Sequence, residues 1–113
     1  MEQTYKLYRV RELADDDEDF VKSLVEAFLE ELPEDAQRLN TAVGNKDYKE
    51  TYQAAHKMKP TIDLFELGVL EELIVVQDWG KLEKSKEDCT NELQMVLNAI
   101  QNASMEMKAD FKL

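Results

Sequence analysis

The sequence is poor in glycine and proline, with three and two residues respectively in a chain of 113. Residues that favour helices dominate instead, so the composition predicts an all-α protein. No run is long and apolar enough to span a bilayer, and residues 1–10 lack the apolar segment of a secretory signal peptide. The one cysteine, Cys89, cannot form an internal disulfide, which agrees with a reducing compartment. We therefore expect a cytoplasmic protein without membrane association.

Basic residues are also scarce. The chain has 14 lysines and arginines against 25 aspartates and glutamates, for a formal net charge of −11. Nucleic acids and anionic membranes bind to basic faces, so this balance argues against both as partners. The length and an apolar fraction of 43% fit one folded domain over residues 1–113.

The apolar residues that are present recur with helical spacing. The segments that follow this spacing are residues 8–14, 20–32, 33–43, 48–65, 69–79 and 82–107. Short connections between amphipathic helices favour antiparallel neighbours. The pattern therefore predicts an antiparallel four-helix bundle with additional short N-terminal helices.

Capping residues and helix breakers set the predicted boundaries. Asp15 to Asp17 and Asp47 are expected to cap helices, because short acidic side chains accept hydrogen bonds from free N–H groups. Pro33 is expected to start a new helix, where its missing N–H has no cost. Helices are expected to end at the glycines, which are Gly44, Gly68 and Gly80.

The segment AAHKMKP, residues 54–60, contains the only histidine, His56. At about 100° per residue, His56 lies beside the apolar face of its helix, which predicts a partly exposed imidazole at the edge of the core. Lys59, one turn later, can bring an ammonium group near the ring. Pro60 lacks the N–H that would bond the carbonyl of His56, so the helix is expected to bend or loosen there.

An exposed imidazole beside an ammonium group suits phosphoryl chemistry. Neutral imidazole is a nucleophile near pH 7 and can form a covalent intermediate, and a nearby cation favours an anionic group on the ring. The chain has no glycine-rich phosphate cradle, so a phosphoryl group would arrive from another protein rather than from a nucleotide. On spacing alone, a structural or incidental histidine remains the alternative.

The sequence AAHKMKPTIDLFELG resembles the signature of histidine-containing phosphotransfer (HPt) domains. That signature has a histidine, a lysine three residues later, a small residue, and Leu-Gly at the end of the helix. The acidic cap, the Leu-Pro pair and the Gly-Asn-x-Asp turn upstream extend the resemblance to residues 7–107. Two features depart from it: Pro60 replaces the usual glycine, and Leu67-Gly68 comes two residues late.

The resemblance implies an all-α four-helix bundle that carries phosphoryl groups and is not itself an enzyme. His56 would accept a phosphoryl group from a receiver-domain aspartate and pass it to another receiver, with Lys59 assisting by its charge. Magnesium and the aspartate belong to the receiver, so no cofactor, metal or ATP site is expected in this chain. The partners would be receiver domains of response regulators or hybrid histidine kinases.

The docking surface for a receiver is expected around His56, on the side of the helix that carries mostly short or neutral groups. Its predicted members, besides Lys59, are Tyr52, Gln53, Pro60 and Asp63. We expect a monomer that acts as a stand-alone shuttle, with a domain excised from a hybrid kinase as the other possibility.

Other functions are weighed against this one. A purely protein-binding helical module, related to HPt domains but unable to transfer, remains the alternative. An EF-hand calcium loop at the acidic run is rejected because Phe20 stands where that loop needs glycine. A di-iron bundle needs Glu-x-x-His, and Gln53 occupies the glutamate position. Cys89 lies in an apolar stripe and is predicted to be core.

Overall fold

The computed structural model describes residues 4–113, which fold into helices joined by short turns. The helices are α1 (Tyr8–Leu13), α2 (Glu18–Gly44), α3 (Tyr48–Leu64), α4 (Leu70–Lys81) and α5 (Thr90–Phe111). Helix α2 packs against α3, α3 against α4, and α4 against α5. Helix α5 also packs against α2, and α1 lies against α2. The described residues therefore form an all-α four-helix bundle with one short N-terminal helix, and the predicted fold class is confirmed.

The core lies along the axis of the bundle and receives side chains from every helix. Helices α2 and α3 run antiparallel, because Asp35 bonds Lys57 while Arg38 bonds the earlier Glu50. The fully buried side chains at the centre of the bundle are Val21, Val25, Leu39, Met58, Leu73, Val76, Val96 and Met107. None of the helices in the described part of the chain combines the length and apolar content needed to cross a membrane.

Two of the predicted caps are confirmed. The carboxylate of Asp17 accepts hydrogen bonds from the backbone N–H groups of Asp19 and Phe20 at the start of α2. Asp47 accepts from the backbone N–H of Glu50 at the start of α3. Each bond satisfies a helix-end donor that has no partner within its helix.

The prediction that Pro33 starts a new helix is wrong, since α2 continues through it without interruption. Leu32 and Ala36 on either side of Pro33 are buried against the same core. Pro33 itself is exposed, and its missing N–H leaves the carbonyl of Leu29 without its usual helical donor. Packing on both sides of Pro33 outweighs the local preference for a break.

The expected helix end at Gly80 is one residue early, since α4 ends at Lys81. A Cβ atom at Gly80 would come within 2.6 Å of the Tyr48 carbonyl oxygen and 2.9 Å of the Tyr52 nitrogen. The glycine therefore also permits the close approach of α4 to α3.

The last helix starts later than predicted. Leu82 follows α4, is 61% exposed and does not belong to the apolar stripe of α5. Glu83 has a φ of 47°, which turns the chain, and the indole N–H of Trp79 donates to the carbonyl oxygen of Glu87 at 2.9 Å. Cys89 is buried just before α5, so its predicted place in the core is confirmed.

Candidate functional site

Helix α3 positions His56 by burying the opposite side of the same helical turns. Ala54, Ala55 and Met58 are fully buried, and this fixes the rotation of α3 against its neighbours. At about 100° per residue, His56 then points away from the core. The structure places the imidazole in an exposed position, as predicted for the rim of the bundle.

The ring of His56 stacks on the ring of Tyr52, one turn earlier in α3. Their centroids are 5.6 Å apart and their planes are inclined by 24°. Tyr52 is half-buried, so packing restrains its ring, and the exposed imidazole stacks on it. The spacing of four residues along a helix permits this contact and could have indicated it from the sequence alone.

The other residues of the predicted docking surface lie around His56 on the same face of α3. Gln53 and Pro60 are exposed, whereas Lys59 and Asp63 are half-buried. Their spacing of three, four and seven residues from His56 follows the helical repeat. The fold therefore brings the sequence-predicted residues together on one side of one helix.

The two lysines that flank Met58 have different surroundings. The Lys57 ammonium lies 2.9 Å from Oδ1 of Asp35 on α2, and this contact raises the pKa of Lys57. Asp35 is buried, so the pair joins α2 to α3. None of the ion pairs within residues 4–113 involves Lys59. Lys59 therefore has a charge available to a group on His56, whereas the charge of Lys57 is already used.

Arg9 of α1 reaches the far end of the docking surface. Its guanidinium lies 3.1 Å from Oδ1 of Asp63 and donates to the carbonyl oxygen of Asp63 at 3.0 Å. Sequence reasoning missed this contact, because the two residues are far apart in the chain and no local pattern connects them. The contact joins α1 to the C-terminal end of α3, seven residues beyond His56.

A shallow groove of about 220 Å³ runs between α2 and α3 next to the predicted docking surface. Lys57 lies at its edge, together with Glu31. The apolar side chains of its lining are Leu24, Ala27, Phe28, Leu32, Leu64 and Phe65. Sequence analysis did not find this groove, because it depends on how two helices pack. It lies on the side of α3 that carries Lys57, and three of its apolar lining side chains, Phe28, Leu32 and Phe65, are buried.

Pro60 lies inside α3, which continues to Leu64. Because proline has no N–H, the carbonyl of His56 lacks the donor that an ordinary helix would supply. Pro60 is exposed, so water or a docked partner can bond this carbonyl. Helix α3 then ends before Leu67 and Gly68, and Gly68 adopts a φ of 77° that suits glycine.

The arrangement presents one exposed imidazole with a cation one turn away on an open helix face. Within residues 4–113, no three His, Cys, Asp or Glu side chains converge as metal ligands would. The imidazole of His56 can accept an anionic group on a ring nitrogen, and the charge of Lys59 can balance it, provided that a partner protein brings that group.

Comparison with known proteins assigns the family. Searches among curated proteins and among solved structures return no match. The model of the Hpt domain family matches residues 23–103, most of α2 through most of α5. This range includes His56, Lys59 and the rest of the predicted docking surface. The chain therefore belongs to the Hpt domain family, whose members are phosphotransfer modules of two-component signalling.

Proposed function

We propose that this chain relays a phosphoryl group between receiver-domain aspartates by way of His56. The observation that carries the proposal is the exposed imidazole of His56 within the region that matches the Hpt family. The unprotonated ring nitrogen attacks phosphorus, the bond between phosphorus and the aspartyl oxygen breaks, and the aspartate leaves as a carboxylate. The reverse reaction on a second receiver returns the imidazole and completes the relay.

Lys59 supports this step by its charge. The phosphoryl group on His56 is anionic, and an ammonium group one turn away lowers the free energy of that product and of the transition state. The proposal depends on Lys59 rather than Lys57, since Lys57 is paired with Asp35 at 2.9 Å.

The receiver docks on the face of α3 that surrounds His56. The residues proposed to contact it are Tyr52, Gln53, Lys59, Pro60 and Asp63, with the groove between α2 and α3 at one side. Interfaces in transient signalling complexes are small and dissociate readily, which a carrier with two successive partners requires. NMR titration with a receiver should shift resonances on this face. Shifts confined to residues 93–100 of α5 would place docking elsewhere.

The second candidate is a helical module that binds receivers without transfer. The departure at Pro60 favours it, because proline alters the backbone next to His56 where the family carries glycine. A test with three proteins separates the two functions. A receiver labelled on its aspartate is mixed with this chain, and a second receiver is then added.

Under the relay proposal, label moves from the first receiver to this chain and then to the second receiver. A binding module would form complexes with the receivers, and the label would remain on the first receiver. If several receivers neither bind nor transfer label, both candidates fail.

A further inference from the structure

Lys59 lies between two side chains that can attract its ammonium group. His56 is three residues earlier on α3, and Asp63 is four residues later. Side chains at these spacings are neighbours on the surface of a helix. Among the α3 positions three or four residues from Lys59, only that of Asp63 carries a carboxylate. An ion pair between Lys59 and Asp63 would therefore draw the ammonium group away from the imidazole.

The carboxylate of Asp63 is bound to Arg9 of α1 instead. Nη1 of Arg9 lies 3.1 Å from Oδ1 of Asp63, and it also donates to the backbone carbonyl oxygen of Asp63 at 3.0 Å. The guanidinium group balances the charge of the carboxylate and reduces its attraction for a second cation. Lys59 accordingly forms no ion pair within residues 4–113.

Contacts on both sides of Arg9 in the chain hold its backbone against the end of α3. The backbone N–H of Lys6 donates to the carbonyl oxygen of Phe65, the residue that follows α3, at 2.9 Å. Val10, next to Arg9, is fully buried in the core. Because this backbone is already ordered, the pairing of Arg9 with Asp63 loses less conformational entropy than pairing from an unrestrained segment would.

We propose that Arg9 is a positioning residue for phosphoryl transfer, which binds Asp63 and thereby keeps Lys59 available to His56. This role rests on the relay by His56 that is proposed above. It adds a residue that lies outside the range 23–103 matched by the Hpt family model. Arg9 acts through Asp63 and Lys59 rather than on the phosphoryl group itself.

The loss of Arg9 should have a small but measurable effect on transfer. The side chains of Arg9 and Asp63 are 48% and 47% exposed, so water screens the charges here. A pair of Lys59 with Asp63 would then form only part of the time. Arg9→Gln should therefore lower the rate of label transfer from a phosphorylated receiver by about twofold. Lys59→Ala, which removes the ammonium group completely, should lower the rate at least as much.

A second substitution separates this role from a structural one. Asp63→Asn, added to Arg9→Gln, removes the carboxylate that competes for Lys59, and it should raise the transfer rate again. If the pair of Arg9 with Asp63 mattered only for the structure, Arg9→Gln would already have broken it, and the second substitution would restore nothing. Arg9→Lys keeps a cation at this position and should retain most of the wild-type rate.

The background of Lys59→Ala gives an independent comparison. Arg9→Gln should cause no further loss there, because the freed carboxylate has no Lys59 to capture, whereas separate effects would add. Arg11→Gln is the matched control, since it removes the same charge from α1 but breaks a pair with Glu18 of α2. That variant should transfer at the wild-type rate. Far-UV circular dichroism checks that all variants are folded.

The change of partner at Asp63 can be observed without a phosphoryl group by carbon-13 NMR of its carboxylate. Lys59→Ala should shift this resonance more in the Arg9→Gln protein than in wild type, because only the former lets Lys59 bind Asp63. Equal shifts in the two proteins would show that Arg9 and Lys59 do not compete for this carboxylate, which would overturn the proposed role of Arg9.

The transfer results distinguish this role from the relay itself. Wild-type protein that takes no label from phosphorylated receivers overturns the relay, and the role of Arg9 in transfer falls with it. Label on wild type, with an equal rate in Arg9→Gln, overturns the role of Arg9 alone. The same conclusion follows if Asp63→Asn fails to raise the rate of Arg9→Gln, or if Arg9→Gln slows transfer further in the Lys59→Ala background.

Discussion

At the residue scale, Lys57 and Lys59, one and three positions after His56, have different surroundings. Lys57 is held against the buried carboxylate of Asp35, and Lys59 has no ion pair within residues 4–113. The alternation follows from the helical repeat, which turns Lys57 toward α2 and Lys59 toward the face of His56. One lysine therefore joins two helices, while the other is free to act in the proposed transfer.

Exchange of each lysine for alanine should separate these roles. Lys59→Ala should keep the stability of the wild type, because a half-buried lysine that forms no ion pair contributes little to folding. It should slow transfer or shorten the lifetime of phosphohistidine. Lys57→Ala should lower the thermal midpoint, because it leaves the Asp35 carboxylate buried without its partner. Lys22→Ala, an exposed lysine of α2, is the control. A transfer rate in Lys59→Ala equal to that of wild type would show that its charge is not used.

The stack between Tyr52 and His56 should influence transfer through the orientation of the imidazole. Tyr52→Phe keeps a ring at this position and should transfer at nearly the wild-type rate. Tyr52→Ala removes the ring and should transfer several-fold more slowly, with altered NMR shifts of the His56 ring protons as the stacking is lost. Equal rates in the alanine variant and wild type would mean that the stack has no part in transfer. A phenylalanine variant as slow as alanine would assign the effect to the hydroxyl group instead.

At the element scale, the approach of α4 to α3 sets the position of the helix that carries His56. Gly80 touches the backbone of α3 at Tyr48 and Tyr52, within the two turns that precede the histidine. Backbone atoms cannot rotate away as a flexible side chain could, so the contact has little tolerance for added volume.

Gly80→Ala should therefore destabilise the protein by about 1–3 kcal/mol, as overpacking of a tight contact does. Gly44→Ala is the matched control, because a Cβ atom there meets nothing within 4 Å. That variant should have wild-type stability or gain up to about 1 kcal/mol from reduced chain flexibility. Urea unfolding measures both. A Gly80 variant as stable as wild type would mean that α3 and α4 can separate at no cost.

Much of this architecture could be predicted from the sequence, and the errors have a common cause. The apolar repeat and the aspartate caps are local signals, so the all-helical class, the caps at Asp17 and Asp47, and the rim position of His56 could be inferred. The continuation of α2 through Pro33 and the close contact of Gly80 with α3 could not be inferred, because both depend on tertiary packing. The Arg9–Asp63 contact and the groove beside α2 also arise only when distant segments meet.

At the scale of the whole molecule, Tyr5 and Cys89 stay protonated in the folded chain and make the free energy of unfolding depend on pH in the alkaline range. Burial raises the pKa of the Cys89 thiol from its ordinary value of 9.0 to about 11. Burial and the 2.6 Å hydrogen bond to Asp110 also raise the pKa of the Tyr5 hydroxyl. Both groups therefore hold their protons more tightly in the folded chain than in the unfolded chain.

The sign of the resulting pH dependence follows directly. Above about pH 9 the unfolded chain releases protons that the folded chain retains, so the free energy of unfolding should fall as pH rises from 9 to 11. Cys89→Ala and Tyr5→Phe should each make this fall shallower, whatever they do to stability at pH 7. Urea unfolding at a series of pH values measures the slope. An unchanged slope in both variants would contradict this account.

The central claim is that His56 alone accepts the phosphoryl group, and its replacement tests that claim most directly. His56→Gln should fold like wild type, because the side chain is exposed and glutamine has similar size and polarity. A receiver labelled on its aspartate should give wild-type protein a mark that is labile in acid and stable in alkali, as a phosphoramidate is, and should give His56→Gln none. A mark that persists on a well-folded His56→Gln variant would contradict the mechanism.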